Sequence, residues 1–140
     1  MPDPEIKDIR PDEAMDLLRQ DPKAIILDVR TTMEYQYVGH PLGAVHIPWM
    51  EAPAWQVDPA FVEKVRNVLR ERNEEPVEQT LIMAICRSGT RSRLAAEELS
   101  RHGFSHVFNI AEGFEGPLDT DKHRNTVGGW RYRGLPWEQS

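Results

Sequence analysis

The chain has 140 residues, of which 39% are hydrophobic and 29% charged, and its formal net charge is −6 at pH 7. These values are typical of one globular domain, residues 1–140, with a core that needs no disulfide or metal. The negative charge argues against nucleic acid as a partner, no apolar run is long enough to span a membrane, and the single cysteine excludes an internal disulfide. The amino-terminal stretch lacks the pattern of a secretion signal, which predicts a cytoplasmic protein.

The first third of the chain alternates between helix and strand patterns. "RPDEAMDLLRQDP" (10–22) predicts a helix, with proline and two acids in its first turn. "AIILDV" (24–29) is a continuous apolar run, typical of a strand buried on both faces. "TTMEYQYVG" (31–39) predicts a short helix, and "AVHIP" (44–48) a short strand.

The same alternation continues through the middle of the chain. "DPAFVEKVRNVLRER" (58–72) has apolar residues at helical spacing, and Asp58 is its expected N-cap. "TLIMAI" (80–85) is a second strongly apolar strand. "SRLAAEELSRHG" (92–103) predicts a helix whose inward residues are expected to include Leu94 together with Ala95 and Leu99.

The last third adds one strand, "SHVFNI" (105–110), and then loses regular patterning. Residues 111–129 are predicted to form a long irregular insertion, and "WRYRGLPW" (130–137) a closing segment that docks on the body. Strands that alternate with helices predict an α/β fold with a mostly parallel sheet covered on both faces.

The single cysteine, Cys86, ends the strand 80–85 and begins the loop "CRSGTR". Backbone N–H groups of such a loop, the positive end of the following helix, and three arginines all favour the thiolate, which is the nucleophilic form. The arginines are Arg87, Arg91 and Arg93. Gly89 permits a tight loop, and Ser88, Thr90 and Ser92 can donate hydroxyl hydrogen bonds. The alternative is a buried structural cysteine, but the position and the arginines favour a reactive thiol beside an anion site.

"CRSGTRS" after an apolar strand resembles the active-site loop of the rhodanese family of sulfurtransferases. "ILDVRTTMEYQYVGHPLGAVHIP" (26–48) is similar to another signature of that family, and "HGFSHVFNIAEGFEG" and "GWRYRGLPW" resemble its closing segments. The resemblance covers about residues 5–137. It implies a three-layer domain with a central, mostly parallel five-stranded sheet and helices on both faces.

The resemblance also implies a reaction. Cys86 would take a sulfur from a small anionic donor such as thiosulfate, become a persulfide, and pass the sulfur to cyanide or a thiol. Arg91, and less directly Arg87, would hold the donor, while backbone N–H groups of residues 87–92 would solvate the sulfur. No metal and no organic cofactor is needed, and a sulfur-accepting protein is a further possible partner.

Two other functions remain open at this point. Related phosphatases place five residues between cysteine and arginine, whereas position 92 here is a serine, so a phosphatase or arsenate reductase is disfavoured. A sulfur-relay or protein-binding module with little activity on thiosulfate is the main alternative. The insertion at 111–129 would suit a protein partner, or would be a tolerated surface loop.

Four upstream residues are candidates for supporting roles. Asp28 and Arg30 flank the carboxyl end of a buried strand, where open α/β sheets place their sites. In the functional interpretation Asp28 fixes the active-site loop and Arg30 pairs with Glu34; in the favoured structural one they form an ion-pair set that orients the next helix. His40 is expected to hydrogen-bond within its turn rather than act as a base.

Overall fold

A computed structural model describes residues 5–72 and 74–140, and a five-stranded parallel sheet forms its centre. In chain order the strands and helices are β1 (Lys7–Ile9), α1 (Pro11–Gln20), β2 (Ile25–Asp28), β3 (His40–Pro41), β4 (Val45–His46), β5 (Met50–Glu51), β6 (Gln56–Val57), α2 (Phe61–Glu71), β7 (Ile82–Ile85), α3 (Thr90–Arg101), β8 (Val107–Ile110) and β9 (Trp137–Glu138). A π-helical turn covers Glu34–Val38 and a 3-10 turn covers Val77–Gln79.

The strand order in the sheet is β1-β8-β7-β2-β4, and every neighbouring pair is parallel. Ala84 on β7 lies between Leu27 on β2 and Asn109 on β8. The predicted mostly parallel α/β sheet is therefore confirmed. Its edge strand β1 was not predicted, because three residues with a single buried isoleucine carry no strand pattern.

Helices cover both faces of this sheet. One apolar cluster contains Leu27, Ala84 and Cys86 with the inner residues of α2 and α3. The other contains Ile26 and Met83 with α1 and the carboxy-terminal segment. Alternate residues of the central strands thus point to opposite faces, as expected for a sheet buried on both sides. Among the described helices, none is both long and apolar enough to cross a membrane.

Two details of the predicted helices are wrong. Helix α2 begins at Phe61, so Asp58 is not the N-cap of this helix. The Asp58 carboxylate accepts a hydrogen bond from the backbone N–H of Ala60 at 2.9 Å and pairs with Lys64. Helix α3 begins at Thr90, two residues earlier than predicted, and Leu94 is 49% exposed. The buried stripe of α3 starts at Ser92 and continues through Ala95, Ala96 and Leu99, and Leu94 lies outside that stripe.

The closing segment docks on the body as predicted. Trp130 is 1% exposed, and its indole N–H donates to the Pro136 carbonyl at 2.8 Å. Strand β9 pairs antiparallel with β3, so Trp137 lies opposite Pro41 and Glu138 opposite His40. The carboxy-terminal strand is therefore joined to the turn that follows β2.

Residues 111–129 contain turns and bends but no helix or strand. Within this region, residues 117–127 form a loop that is closed at its base, here called the 117–127 loop. Asn125 donates its backbone N–H to the Glu115 carbonyl, and Arg124 Nη1 to the Gly116 carbonyl, both at 2.8 Å. Asp119 accepts from the N–H groups of residues 121 and 123 and from the Thr126 hydroxyl. These bonds hold the loop together from inside.

Candidate active site

Cys86 follows β7, the middle strand of the sheet, and is 1% exposed. The chain runs from β2 outward to β4 on one side and from β7 to β8 on the other, so the sheet order reverses between β2 and β7. Open α/β sheets place their sites at the carboxyl ends of the strands at such a reversal. The topology therefore positions the "CRSGTR" loop where a site is expected.

Two groups contact the sulfur. The backbone N–H of Gly89 donates to Cys86 Sγ at 3.2 Å, and Ser92 Oγ lies 3.2 Å from the same sulfur. Ser92 Oγ is also 2.6 Å from Asn109 Oδ1. The amide nitrogen of Asn109 donates to Asp8 and to the Gly89 carbonyl, so Oδ1 is the acceptor that faces Ser92.

Ser92 thus has one hydroxyl proton and two neighbouring acceptors. With a thiol at Cys86, the S–H can donate to Ser92 Oγ while Ser92 donates to Asn109. With a thiolate, the Ser92 proton stabilises the sulfur instead, since a hydrogen bond to a charged acceptor is the stronger one. Asn109 was not among the predicted site residues, although a polar residue in the apolar strand "VFNI" was a usable signal.

The loop around Cys86 is held by the segment that follows β8. Gly89 has φ +106°, and a Cβ there would lie 2.1 Å from the Ala111 carbonyl oxygen. A Cβ on Gly113 would lie 2.5 Å from the Arg87 carbonyl. Phe114 donates its N–H to the Cys86 carbonyl at 2.8 Å. The first residues of the 111–129 region therefore support the active-site loop directly.

The three arginines differ in their partners. Arg91 makes two parallel hydrogen bonds to the Glu34 carboxylate, at 2.8 and 2.9 Å. Burial raises the pKa of Glu34, but the hydrogen bonds and charge of Arg91 outweigh it and lower that pKa to about 2. Arg93 pairs with Asp8. Arg87 is exposed, and within residues 5–72 and 74–140 it has no carboxylate partner.

Arg30 does not make the pair with Glu34 that the functional interpretation, the less favoured of the two, assigned to it. Arg30 is fully buried and binds Asp28 instead, with Nε 2.9 Å from Oδ1 and Nη2 2.6 Å from Oδ2. It also donates to the Gly39 carbonyl at 2.6 Å and lies over the Phe114 ring. Asp28 and Arg30 lie two residues apart at the end of β2, so their charges pair locally. The π-helical turn places Glu34 beside Arg91 instead. Asp28 is thus linked through Arg30 to Phe114, which supports the active-site loop.

Other predicted site residues lie away from the sulfur. His40 Nδ1 is 2.9 Å from the Tyr35 carbonyl and Nε2 is 3.2 Å from Glu138, so its partners are the turn and β9. Ser88 and Thr90 line a separate pocket of about 320 Å³. Of the three predicted hydroxyl donors, only that of Ser92 reaches Cys86 in the part of the chain that the structure describes.

A cleft of about 1040 Å³ opens beside the Cys86 loop. Arg87 and Arg91 belong to both the loop and the cleft. The opposite walls come from the turn after β2, the β5–β6 hairpin and the 111–129 region, and their residues include Met33, Tyr37, Trp55 and Arg124. The sequence patterns gave no reason to select Met33 or Tyr37.

The family model described as "Rhodanese-like domain" matches residues 10–118. The chain therefore belongs to the rhodanese-like family of sulfurtransferases, as the resemblance predicted.

Individual relatives agree with this membership. The crystal structure of Rv0390 from M. tuberculosis has a TM-score of 0.82 and 31% identity, covering 98% of this chain and 100% of that one. An uncharacterized protein of Rickettsia rickettsii, the RP600 homolog, is 30% identical over 95% of this chain and 98% of its own. Thiosulfate sulfurtransferase 16 of Arabidopsis thaliana is 30% identical over 79% of this chain and 76% of its own.

Proposed function

We propose that the protein transfers a sulfane sulfur through a persulfide on Cys86. The Cys86 thiolate attacks the outer sulfur of a donor such as thiosulfate, the S–S bond of the donor breaks, and sulfite leaves with the electron pair. The acceptor, a thiolate or cyanide, then attacks the terminal sulfur of the persulfide. Cleavage of the Cys86 S–S bond returns the thiolate, so no oxidant or reductant is consumed.

The environment of Cys86 Sγ carries this proposal. A buried thiolate without partners would be unfavourable, since desolvation disfavours the charged form. Here the Gly89 N–H and the Ser92 hydroxyl both lie 3.2 Å from the sulfur. The start of α3 behind the loop adds the positive end of a helix dipole. These groups can stabilise negative charge on the sulfur during the transfer.

The two cleft arginines have different roles in this proposal. Arg87 has no carboxylate partner among the described residues and meets the anionic donor first. Arg91 is already neutralised by Glu34, so the donor shares it with that carboxylate. Arg91 then stabilises the charge on the departing sulfite, and Glu34 keeps the guanidinium in place between turnovers.

The test combines intact-mass measurement with a thiocyanate assay. Thiosulfate should add one sulfur atom to the wild-type protein but not to Cys86→Ser, and cyanide should remove it as thiocyanate. Serine keeps the size of the side chain while removing the sulfur, and far-UV circular dichroism checks that the variant folds. A wild-type protein that gains no sulfur from any donor and shows no turnover would refute the proposal. Sulfur uptake from other donors, but not from thiosulfate, would support the relay module instead.

A further inference from the structure

Cys86, Ser92 and Asn109 form a buried chain of three side chains. They are 1%, 0% and 2% exposed, so their polar groups must find hydrogen-bond partners within the protein. Ser92 Oγ lies 3.2 Å from Cys86 Sγ and 2.6 Å from Asn109 Oδ1, and its single proton can serve only one of these acceptors at a time. Which of the two receives the proton therefore depends on the charge of the sulfur.

Asn109 is held with its amide oxygen toward Ser92. The amide nitrogen donates to Asp8 Oδ1 at 3.0 Å and to the Gly89 carbonyl at 3.1 Å, which uses both of its protons. If the amide were turned over, its oxygen would face these two acceptors and be repelled by both. The two contacts thus keep an acceptor, and not a donor, beside the Ser92 hydroxyl.

Asp8 is placed for this contact by the sheet. Strand β1 runs parallel to β8, with Asp8 directly opposite Asn109 in the register. Arg93 on α3 binds the same carboxylate oxygen of Asp8 and also donates to the Ile6 carbonyl at 3.3 Å, which fixes the carboxylate in position. A charged acceptor makes a stronger hydrogen bond to an amide than a carbonyl does. The edge strand is thereby joined to the sulfur through Asn109 and Ser92.

The charge on Cys86 Sγ alternates during the proposed transfer. In the thiolate, Sγ carries the negative charge and attracts the Ser92 proton. In the persulfide, Sγ is bonded to both Cβ and the outer sulfur, and the negative charge lies on the outer sulfur. A neutral sulfur bonded to two atoms is a weak acceptor, so the Asn109 oxygen becomes the better partner for the Ser92 hydroxyl. The hydroxyl turns from one acceptor to the other as the sulfur is loaded.

We infer that Asn109 and Asp8 are positioning residues that favour the persulfide: Asn109 supplies the second acceptor for Ser92, and Asp8 keeps that acceptor in place. This inference rests on the proposed function and adds two residues that act on the sulfur through Ser92. In the thiolate, the Asn109 oxygen faces Ser92 Oγ at 2.6 Å without a proton between them, which is unfavourable. In the persulfide, a hydrogen bond joins the same two atoms. Both effects shift the equilibrium toward the loaded protein.

The test measures the equilibrium of sulfur loading. The Cys86 thiolate takes the outer sulfur of thiosulfate, the donor S–S bond breaks, and sulfite leaves with the electron pair; sulfite can reverse the step. Protein is equilibrated at fixed ratios of thiosulfate to sulfite, and intact mass gives the fraction that carries sulfur, at one site because the chain has a single cysteine. Asn109→Leu keeps the branched shape but has no acceptor, and it should lower the loading constant about 5- to 30-fold.

Further variants distinguish positioning from a general structural role. In a Ser92→Ala background, Asn109→Leu should change the loading constant less than about twofold, because the amide oxygen acts only through the hydroxyl. Asp8→Ala should lower the constant about two- to fivefold, since the Gly89 carbonyl still holds the amide. Lys7→Ala, an exposed residue on the same strand, should leave the constant unchanged.

The outcomes separate the inference from the proposed function. If the wild type loads with sulfur and Asn109→Leu loads equally well, or if Asn109→Leu has the same effect with and without the Ser92 hydroxyl, the inference is overturned and sulfur transfer stands. Asp8→Ala leaves the buried chain intact and serves if Asn109→Leu does not fold; an unchanged loading constant in Asp8→Ala would also overturn the inference. If the wild type took no sulfur at any ratio, the proposed function would fail and the inference with it.

Discussion

The Cys86 loop and the apolar wall of the cleft face the same space but are built in opposite ways. In the loop, Cys86 is buried, follows the central strand and is contacted by Gly89 and by Ser92, which Asn109 holds in turn. The wall, with Tyr37 and Trp55, comes from the π-helical turn and the β5–β6 hairpin, and both side chains are exposed. A buried reacting group and an exposed wall on separate segments should respond independently to mutation. The loop variants below should therefore alter stability and sulfur transfer.

The largest effect is expected from Gly89→Ala. A Cβ there would lie 2.1 Å from the Ala111 carbonyl oxygen at a φ of +106°, so the loop or the segment after β8 must move. We expect a loss of about 3–5 kcal/mol in the free energy of unfolding, measured by urea denaturation. The matched control is Gly43→Ala, where φ is +78° and nothing lies within 4 Å of the added Cβ. It should cost only about 1–2 kcal/mol. Equal losses in the two variants would show that the contact with Ala111 is unimportant.

Ser92→Ala should affect the chemistry more than the fold. It removes the hydroxyl that lies 3.2 Å from Cys86 Sγ and leaves the Gly89 N–H as the remaining donor to the sulfur. Loss of a hydrogen bond to a charged group predicts persulfide formation about 10- to 100-fold slower in stopped-flow kinetics. Ser88→Ala in the same loop should change the rate less than about twofold, since Ser88 lines a different pocket. Comparable rates in the two variants would contradict the role given to Ser92.

Arg91→Ala should raise the KM for thiosulfate about tenfold, because it removes a cation and also leaves the Glu34 carboxylate unpaired beside the anion site. The double variant Arg91→Ala/Glu34→Gln removes that second penalty. Its KM should therefore lie between those of the wild type and the single variant. A double variant no better than Arg91→Ala would show that Glu34 does not repel the donor. An unchanged KM in Arg91→Ala would remove Arg91 from donor binding.

The smallest effect concerns the pH dependence of stability. Pairing with Arg91 holds the pKa of Glu34 at about 2, below its ordinary value of 4.5. A lowered pKa stabilises the folded state above the ordinary value, and that stabilisation is lost as the pH falls from about 4.5 toward 2. Urea denaturation at pH 6 and pH 3 should show a loss about 1–2 kcal/mol larger for the wild type than for Glu34→Gln. Identical losses would mean that the ion pair does not contribute to stability.

The parts of this protein that depend on contiguous sequence were predictable. The apolar runs around Leu27 and Ala84 predicted the central strands, and the position of Cys86 after one of them indicated the candidate site. Pairings between residues that lie far apart in the sequence were not predictable. Glu34 meets Arg91 because β2 and β7 are neighbours, and Asn109 meets Ser92 because β8 lies beside β7. Neither adjacency is visible in the local sequence.

The face that helix α3 turns inward is likewise set by residues distant in sequence. Its inner stripe begins at Ser92 because that residue must face Asn109 and the sulfur, and this requirement turns Leu94 toward solvent. Hydrophobic periodicity alone predicted that Leu94 would face inward. Site residues of this kind follow from the three-dimensional partner and not from their own hydropathy.

The closed base of the 117–127 loop has a consequence for how this protein could diversify. Bonds from Asn125 to Glu115 and from Arg124 to Gly116 fix where the loop leaves and rejoins the body, and Asp119 organises its interior. Insertions and deletions at its tip would not displace Phe114, which supports the Cys86 carbonyl. The loop could therefore be replaced, in evolution or by design, to change which molecules approach the cleft without altering the residues proposed to transfer sulfur.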